Sequence, residues 1–251
     1  MVRTVAWRAV GFFPSDLGRQ VRLHHRRYDA GIRAGLALPP SWRVGPPGNL
    51  EKALRSQALR CRDGLLRPEP LADLVEQLGT LAVLVCDAND PLAVSDADPR
   101  EPRYAAPWLR YGRSVAGRVR LVYYGQDPAL LDRGDLDRFV RDTLARSSRL
   151  YPFVGEEFFR TGTLRSWREI DDRSVAFGVT GVALSHAMTD LANLAAWVWV
   201  EGGGARPTPL PTPTGHLGPT VTVVLGGGLP ERNRPKSGEP ALPPARLRIP
   251  R

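Results

Sequence analysis

Lysine is nearly absent. Lys52 and Lys236 are the only two in 251 residues, so the formal charge of +9 and a pI near 10.3 rest almost wholly on arginine. The arginines are spread through every segment, often beside an acid, which excludes a concentrated basic run and makes a solvated, arginine-biased surface the expectation. Nucleic acid or an anionic membrane is the partner class that such an excess raises. Cysteine is as scarce. Cys61 and Cys86 both fall in apolar helical stretches, which excludes a disulfide framework. There is no Walker loop, paired catalytic serine and histidine, zinc Cys/His set or RNA-binding aromatic motif, and no internal repeat. The first residues, MVRTVAWRAVGFF, contain no uninterrupted apolar stretch and no small-residue cleavage site before Pro14. A cytoplasmic protein is expected, or a secreted one if the true start lies upstream.

What is present is enough apolar residue, 42%, to bury one sizeable core with a loose tail. The expected fold class is all-α: a single multi-helix domain over 1–204, followed by a Pro/Gly-rich tail over 205–251. Leu71 to Leu92 is the most strongly patterned stretch. Leu71, Leu74, Val75, Leu78, Leu81, Ala82 and Val85 recur at helical spacing, Val83, Leu84 and Cys86 fill the other side, and Asp87, Asn89 and Asp90 follow before Pro91 stops the helix.

Around it the chain reads as further helices. Thr4 to Phe13 is a short one, ended by Pro14. Ser15 is a candidate N-cap for a helix running to Gly35, with Leu17, Val21, Tyr28 and Ile32 inward. Leu38 to Asn49 is a proline-rich loop, with Trp42 docking on the core. Asn49 caps a helix to about Arg62, and Gly64 and Pro68 mark its end. Ala93 to Pro107 is a polar loop, Trp108 to Tyr124 a helix weakened by Gly112 and Gly117, and Asp135 caps a helix through Leu150 that Pro152 interrupts. The last helix starts at Asp171 or Asp172. Its stretch Val179 to Val200 has the length and apolarity of a membrane span, but Ser185, His186, Asp190 and Asn193 near its middle make a buried core helix the expectation, with no transmembrane segment. In the tail, Val221 to Leu225 is a candidate short strand.

A buried helix ending in Asp87 followed by A-N-D-P-L resembles an element of the zinc-dependent phospholipase C and S1/P1 nuclease superfamily, whose pattern there is H-x-x-x-D followed by P-L-H. The likeness runs in outline from Ser15 to Gly204, taking in the aromatic-rich Tyr104 to Tyr124 and the segment SWREIDDRSVAFGVTGVALSHAMTDLANLAAWVW. It implies a phospholipase C/P1 nuclease-like helical fold, and active members hold three zinc ions and hydrolyse phosphodiesters. Laid on this chain, the pattern puts Val83 and Ala93 at histidine positions and Asp87 at the aspartate. A further H-x-x-x-E falls at Ala105 and Leu109. The implication is a degraded metal site and a protein inactive as a phosphodiesterase, with a phosphate-containing ligand as the candidate partner.

Three residues are candidate metal ligands: Asp87, and His186 and Asp190, which lie four apart on the last helix, the spacing at which two side chains meet one ion or each other. A rebuilt zinc site on these three is the alternative to the degraded one, and a plain His186–Asp190 hydrogen bond the structural alternative to both. A non-enzymatic binding module using the basic surface or the tail is the remaining class. The His24-His25 pair points two ways on a helix and is read as structural, and the acidic residues Asp96, Asp98 and Glu101 are read as solvated.

Overall fold

The computed structural model describes residues 1–46, 48–67 and 70–207. Every regular element among them is a helix, and Met1–Thr212 forms one compact unit. The elements are α1 (Val2–Ala9), α2 (Ser15–Leu23), α3 (His25–Leu36), α4 (Leu50–Leu66), α5 (Leu71–Ala88), α6 (Pro91–Val94), α7 (Glu101–Val115), α8 (Pro128–Arg133), α9 (Leu136–Ser148), α10 (Tyr151–Phe158) and α11 (Val175–Glu201), with short 3-10 turns at Val10–Phe12, Pro40–Trp42 and Trp167–Glu169. The all-α class and the multi-helix unit agree with the periodicity. From residue 208 on, the expected tail and its candidate strand lie outside the described residues.

Two helices carry the interior. In α5, Leu74 through Val85 buries on nearly all sides, as its pattern requires, although Leu71 is exposed at the helix start. α3 and α4 pack against it on either flank. α3 lies in backbone contact with α5, since a Cβ on Gly31 would overlap the Glu76 carbonyl and one on Gly79 the Tyr28 carbonyl. Glycine is required there by the approach of two backbones. The other central helix is α11. Its first part, Ala176 to Ala183, packs into a smaller core with Tyr104, Trp108, Tyr111, Val154 and Phe158 of α7 and α10. Beyond Leu184 it enters the larger core made with α1, α4, α5, α8 and α9. By length and hydropathy α11 would cross a membrane; here 67% of its most apolar window is buried inside the protein.

Several boundaries differ from the sequence reading. The helix expected from Ser15 to Gly35 breaks at His24 (φ −99°, ψ 33°), leaving His24 half-buried and His25 exposed. Ser15 makes no cap bond; the N-cap position is Pro14. Asn49 stands at the N-cap of α4 without a side-chain bond, and α4 runs past Arg62 and Gly64 to Leu66. The helix expected from Trp108 instead begins at Glu101, because Pro102 sits in the first turn, where no backbone N–H is needed, and Pro107 is carried inside. Residues 120–127 then carry no regular secondary structure, and Gly125 turns the chain at φ 99°. Asp135 caps α9 as expected, accepting from the Arg138 N–H at 3.0 Å. Pro152 lies in the first turn of α10. α11 is capped by Ser174, not Asp171 or Asp172: its Oγ accepts from the Phe177 N–H at 3.1 Å, and the buried Glu157 accepts from Val175 N–H at 3.3 Å. A carboxylate at that end complements the helix dipole. Trp42 is only half docked, 49% exposed.

Candidate functional site

The polar residues at the end of α5 leave the helix in three directions. Asp87 points to Arg43, whose Nε and Nη2 donate to its two carboxylate oxygens at 2.7 and 2.9 Å. Asn89 points inward. Its Nδ2 donates to the Val85 carbonyl at 3.0 Å and to Asp190 Oδ2 at 2.9 Å, across to α11. Asp90 caps α6, accepting from the Leu92 N–H at 3.2 Å, and also accepts from Trp108 Nε1 at 3.3 Å. Of the three candidate metal ligands, Asp87 thus stands apart from Asp190 and His186, which line another cavity together.

Asp190 is 3% exposed and its Oδ2 gathers three donors: Arg146 pairs with it directly, Asn89 bonds it from the end of α5, and Thr143 Oγ1 approaches at 3.5 Å. Burial pushes its carboxyl upward while Arg146 and these donors pull the other way. His186 makes neither the hydrogen bond to Asp190 nor a shared ligand set with it. Its ring lies tilted by 34° against Tyr124, centroids 4.4 Å apart, and burial with the nearby Arg146 pushes its pKa down to about 4. It is a neutral imidazole at pH 7. Asp87 is raised by burial and lowered by Arg43, with burial the larger effect. Asp90 is raised to about 6 for the same reason.

Zinc does not fit this donor set. Each candidate carboxylate already faces a guanidinium, His186 shares a cavity with Asp190 but not with Asp87, and among the described residues no group of three or more His, Cys, Asp or Glu is placed to hold a metal ion. The rebuilt site on Asp87, His186 and Asp190 is therefore not assembled. The acidic stretch after α6 is also dispersed. Asp98 pairs with Arg100 at 2.9 Å, Glu101 accepts from the Tyr151 hydroxyl, and Asp96 is exposed.

Asp87 and Asp90 open instead onto a cavity of about 560 Å³ between α1, α3, α5 and α7. Leu109, one of the positions the resemblance picks out, lines the same cavity. Val83 does not open there. It is fully buried and packs where α3 makes way with Gly35. The cavity's cationic side is Arg3, Arg33, Arg43 and Arg113. Arg3 is paired with Asp29 at 2.9 Å and Arg43 with Asp87, whereas Arg33 and Arg113 make no ion pair or hydrogen bond among the described residues.

The sequence reading missed one constellation altogether. Ser185, Thr189 and Asn193, four apart on α11, hold the irregular 120–127 segment: Ser185 Oγ accepts from Val122 N–H at 3.1 Å, Thr189 Oγ1 from Tyr124 N–H at 3.1 Å, and Asn193 Oδ1 from Asp127 N–H at 3.0 Å, with Asn193 Nδ2 returning a bond to the Gly125 carbonyl at 3.1 Å. Three hydrogen-bonding residues on one line of an otherwise apolar helix were the available signal. No protein-family model and no curated protein matches this chain.

Proposed function

We propose that the protein is a divergent, catalytically silent relative of the zinc-dependent phospholipase C/P1 nuclease fold, in which arginine side chains neutralise the acids that metal ions would neutralise, and that its cavity beside Asp87 binds a phosphate-containing ligand without hydrolysing it. One observation carries the reading. Both oxygens of Asp87, the one residue that the resemblance assigns to metal and that is retained, are held by Arg43. Phosphodiester hydrolysis by a zinc cluster needs a metal-bound water of lowered pKa and cations against the developing phosphate charge. Here the local cation is a guanidinium, which neutralises charge but activates no water. Arg113, whose side chain has no ion pair or hydrogen bond among the described residues, is what supports binding, together with Arg33, whose charge acts on Asp29 from beyond bonding distance, since a planar guanidinium fork suits phosphate oxygens.

The test has two arms. Freshly purified protein dialysed against zinc should retain less than one equivalent by elemental analysis and show no zinc-stimulated hydrolysis of a generic phosphodiester. Titration calorimetry with inorganic phosphate and a phosphomonoester should show binding that Arg113→Ala weakens severalfold. One or more equivalents of retained zinc, with hydrolysis lost in a folded Asp87→Ala variant, would overturn the silent reading; phosphate binding unaffected by Arg113→Ala would overturn the ligand assignment.

A further inference from the structure

A second cavity, of about 630 Å³, lies away from Asp87, over α5 and between α3 and α4. Gln57 Nε2 donates to the Gln77 carbonyl at 2.9 Å, which fixes α4 against the first half of α5. The walls diverge beyond that contact, and the space left is within the range of small-molecule sites. Leu38, Leu84, Ala34 and Ala53 make an apolar surface at one end, and the half-exposed Trp42 stands beside them. Charge is arranged unevenly. The two acids of the cavity, Asp73 and Glu76, are both taken by Arg27, whose Nη1 lies 2.7 Å from Glu76 Oε2. On the facing wall Lys52 and Arg60, two turns apart on α4, make no ion pair or hydrogen bond among the described residues. The acids are neutralised and two cations are left over. Gln77 lines the same cavity, and its Oε1 is buried with no donor, an unfavourable state for a polar group.

We propose that this cavity is a binding site for a small amphipathic anion: a planar aromatic body lying against Trp42 and the apolar surface, a carboxylate or sulfonate at Lys52 and Arg60, and an N–H or O–H donor for Gln77 Oε1. The class follows from three features that act on different parts of one molecule. A tryptophan face offers a large apolar area that favours a flat ring system. Two cations with no internal acid to satisfy them favour an anion, and because both are exposed the attraction is one that salt screens. An orphaned acceptor selects for a donor. A neutral apolar ligand would leave the cations unused, and a polyanion would meet Asp73 and Glu76.

The near absence of lysine makes the test specific. Protein labelled with ¹³C at the lysine ε carbon has two signals, from Lys52 and Lys236. The probe is 8-anilinonaphthalene-1-sulfonate, which has a fused ring, a sulfonate and one N–H donor. The expected result is a saturable shift of the Lys52 signal with the Lys236 signal unmoved, and enhanced probe fluorescence with the same midpoint. Trp42→Ala and Arg60→Glu should each weaken binding at least tenfold, and higher salt should weaken it in the wild type but less in Arg60→Glu. An Ala53→Trp variant, which fills the cavity, should abolish the Lys52 shift; near-UV circular dichroism checks that each variant keeps its fold. Probe binding that leaves the Lys52 signal still, or survives both Trp42→Ala and Arg60→Glu, would overturn the proposal, as would no saturable binding at all. Phosphate binding at Arg113 is read in a separate titration, so either result can fail alone.

Discussion

Arg43 and Arg146 decide what the two buried aspartates can do. The Asp87 side chain is 13% exposed and Arg43 26%, so removing the arginine leaves a carboxylate with little access to water. Arg43→Ala should therefore cost about 2–4 kcal/mol in urea unfolding, while Arg43→Ala combined with Asp87→Ala should lose clearly less than the sum of the two single changes. Equal and additive losses would mean that the pair is not coupled. A pH prediction follows from Asp90 and His186. The folded protein holds the Asp90 proton up to about pH 6, whereas the unfolded chain gives it up near the ordinary carboxylate value of 3.8, so this group makes stability fall as pH rises between those values. His186 acts in the opposite sense. Its folded pKa of about 4 lies below the ordinary 6.5, so stability rises with pH through that window. Asp87 and Asp190, also raised by burial, act in the same sense as Asp90, so the test is relative to wild type. From pH 4 to 6.5 the urea midpoint of Asp90→Asn, which keeps a good helix cap, should shift upward by more than that of the wild type, and that of His186→Gln should shift downward relative to it. The aspartates themselves were legible in the sequence as polar residues at the ends and middles of apolar helices. Their partners were not, because nothing local separates Arg43 and Arg146 from the many other arginines, and both reach their acid across 44 positions of chain.

The helices that periodicity identified correctly are those whose apolar face is continuous: α4, α5, α9 and α11. It failed where a backbone feature overrode the pattern. Nothing in the stripe of Leu17, Val21, Tyr28 and Ile32 marks the break at His24, since the stripe continues on both sides of it. Pro102 and Pro107 suggested a loop, yet one falls where a helix start tolerates it and the other is carried inside by packing on α10 and the Trp167–Glu169 turn. The contact of α3 on α5 gives the sharpest test at this scale. Gly31→Ala must push two backbones apart and should destabilise by about 3 kcal/mol or more, at or beyond the upper end for overpacking. Gly178 is also helical, in α11, and a Cβ there meets nothing within 4 Å. Gly178→Ala should stabilise by about 0.5–1 kcal/mol. Thermal midpoints moving in the same direction for both would refute the assignment of Gly31 as a contact glycine.

Across the whole molecule, α11 belongs to both cores, so neither can loosen while the other keeps this helix in place. Trp108 reports on the smaller core and Trp197 on the larger. Fluorescence of single-tryptophan variants retaining one or the other should therefore follow the same urea transition as the far-UV circular dichroism, as a shared cooperative unit requires. Two separated transitions would show that the cores unfold independently.

The packing of α1 on α11 also bears on how the chain is made. Val5, Ala6 and Ala9 are made long before α11, which begins only at Val175. α3 and α5 supply part of the contact surface of α1 earlier, so at about 5–20 residues per second the first helix waits roughly 10–40 s for its last partner. Contacts between such distant parts of a chain also form late, because the loop between them must be closed first. A nascent chain halted before residue 175 would expose the unfilled slot of α11, so an apolar surface that must be shielded until the last helix arrives is built into the order of the helices.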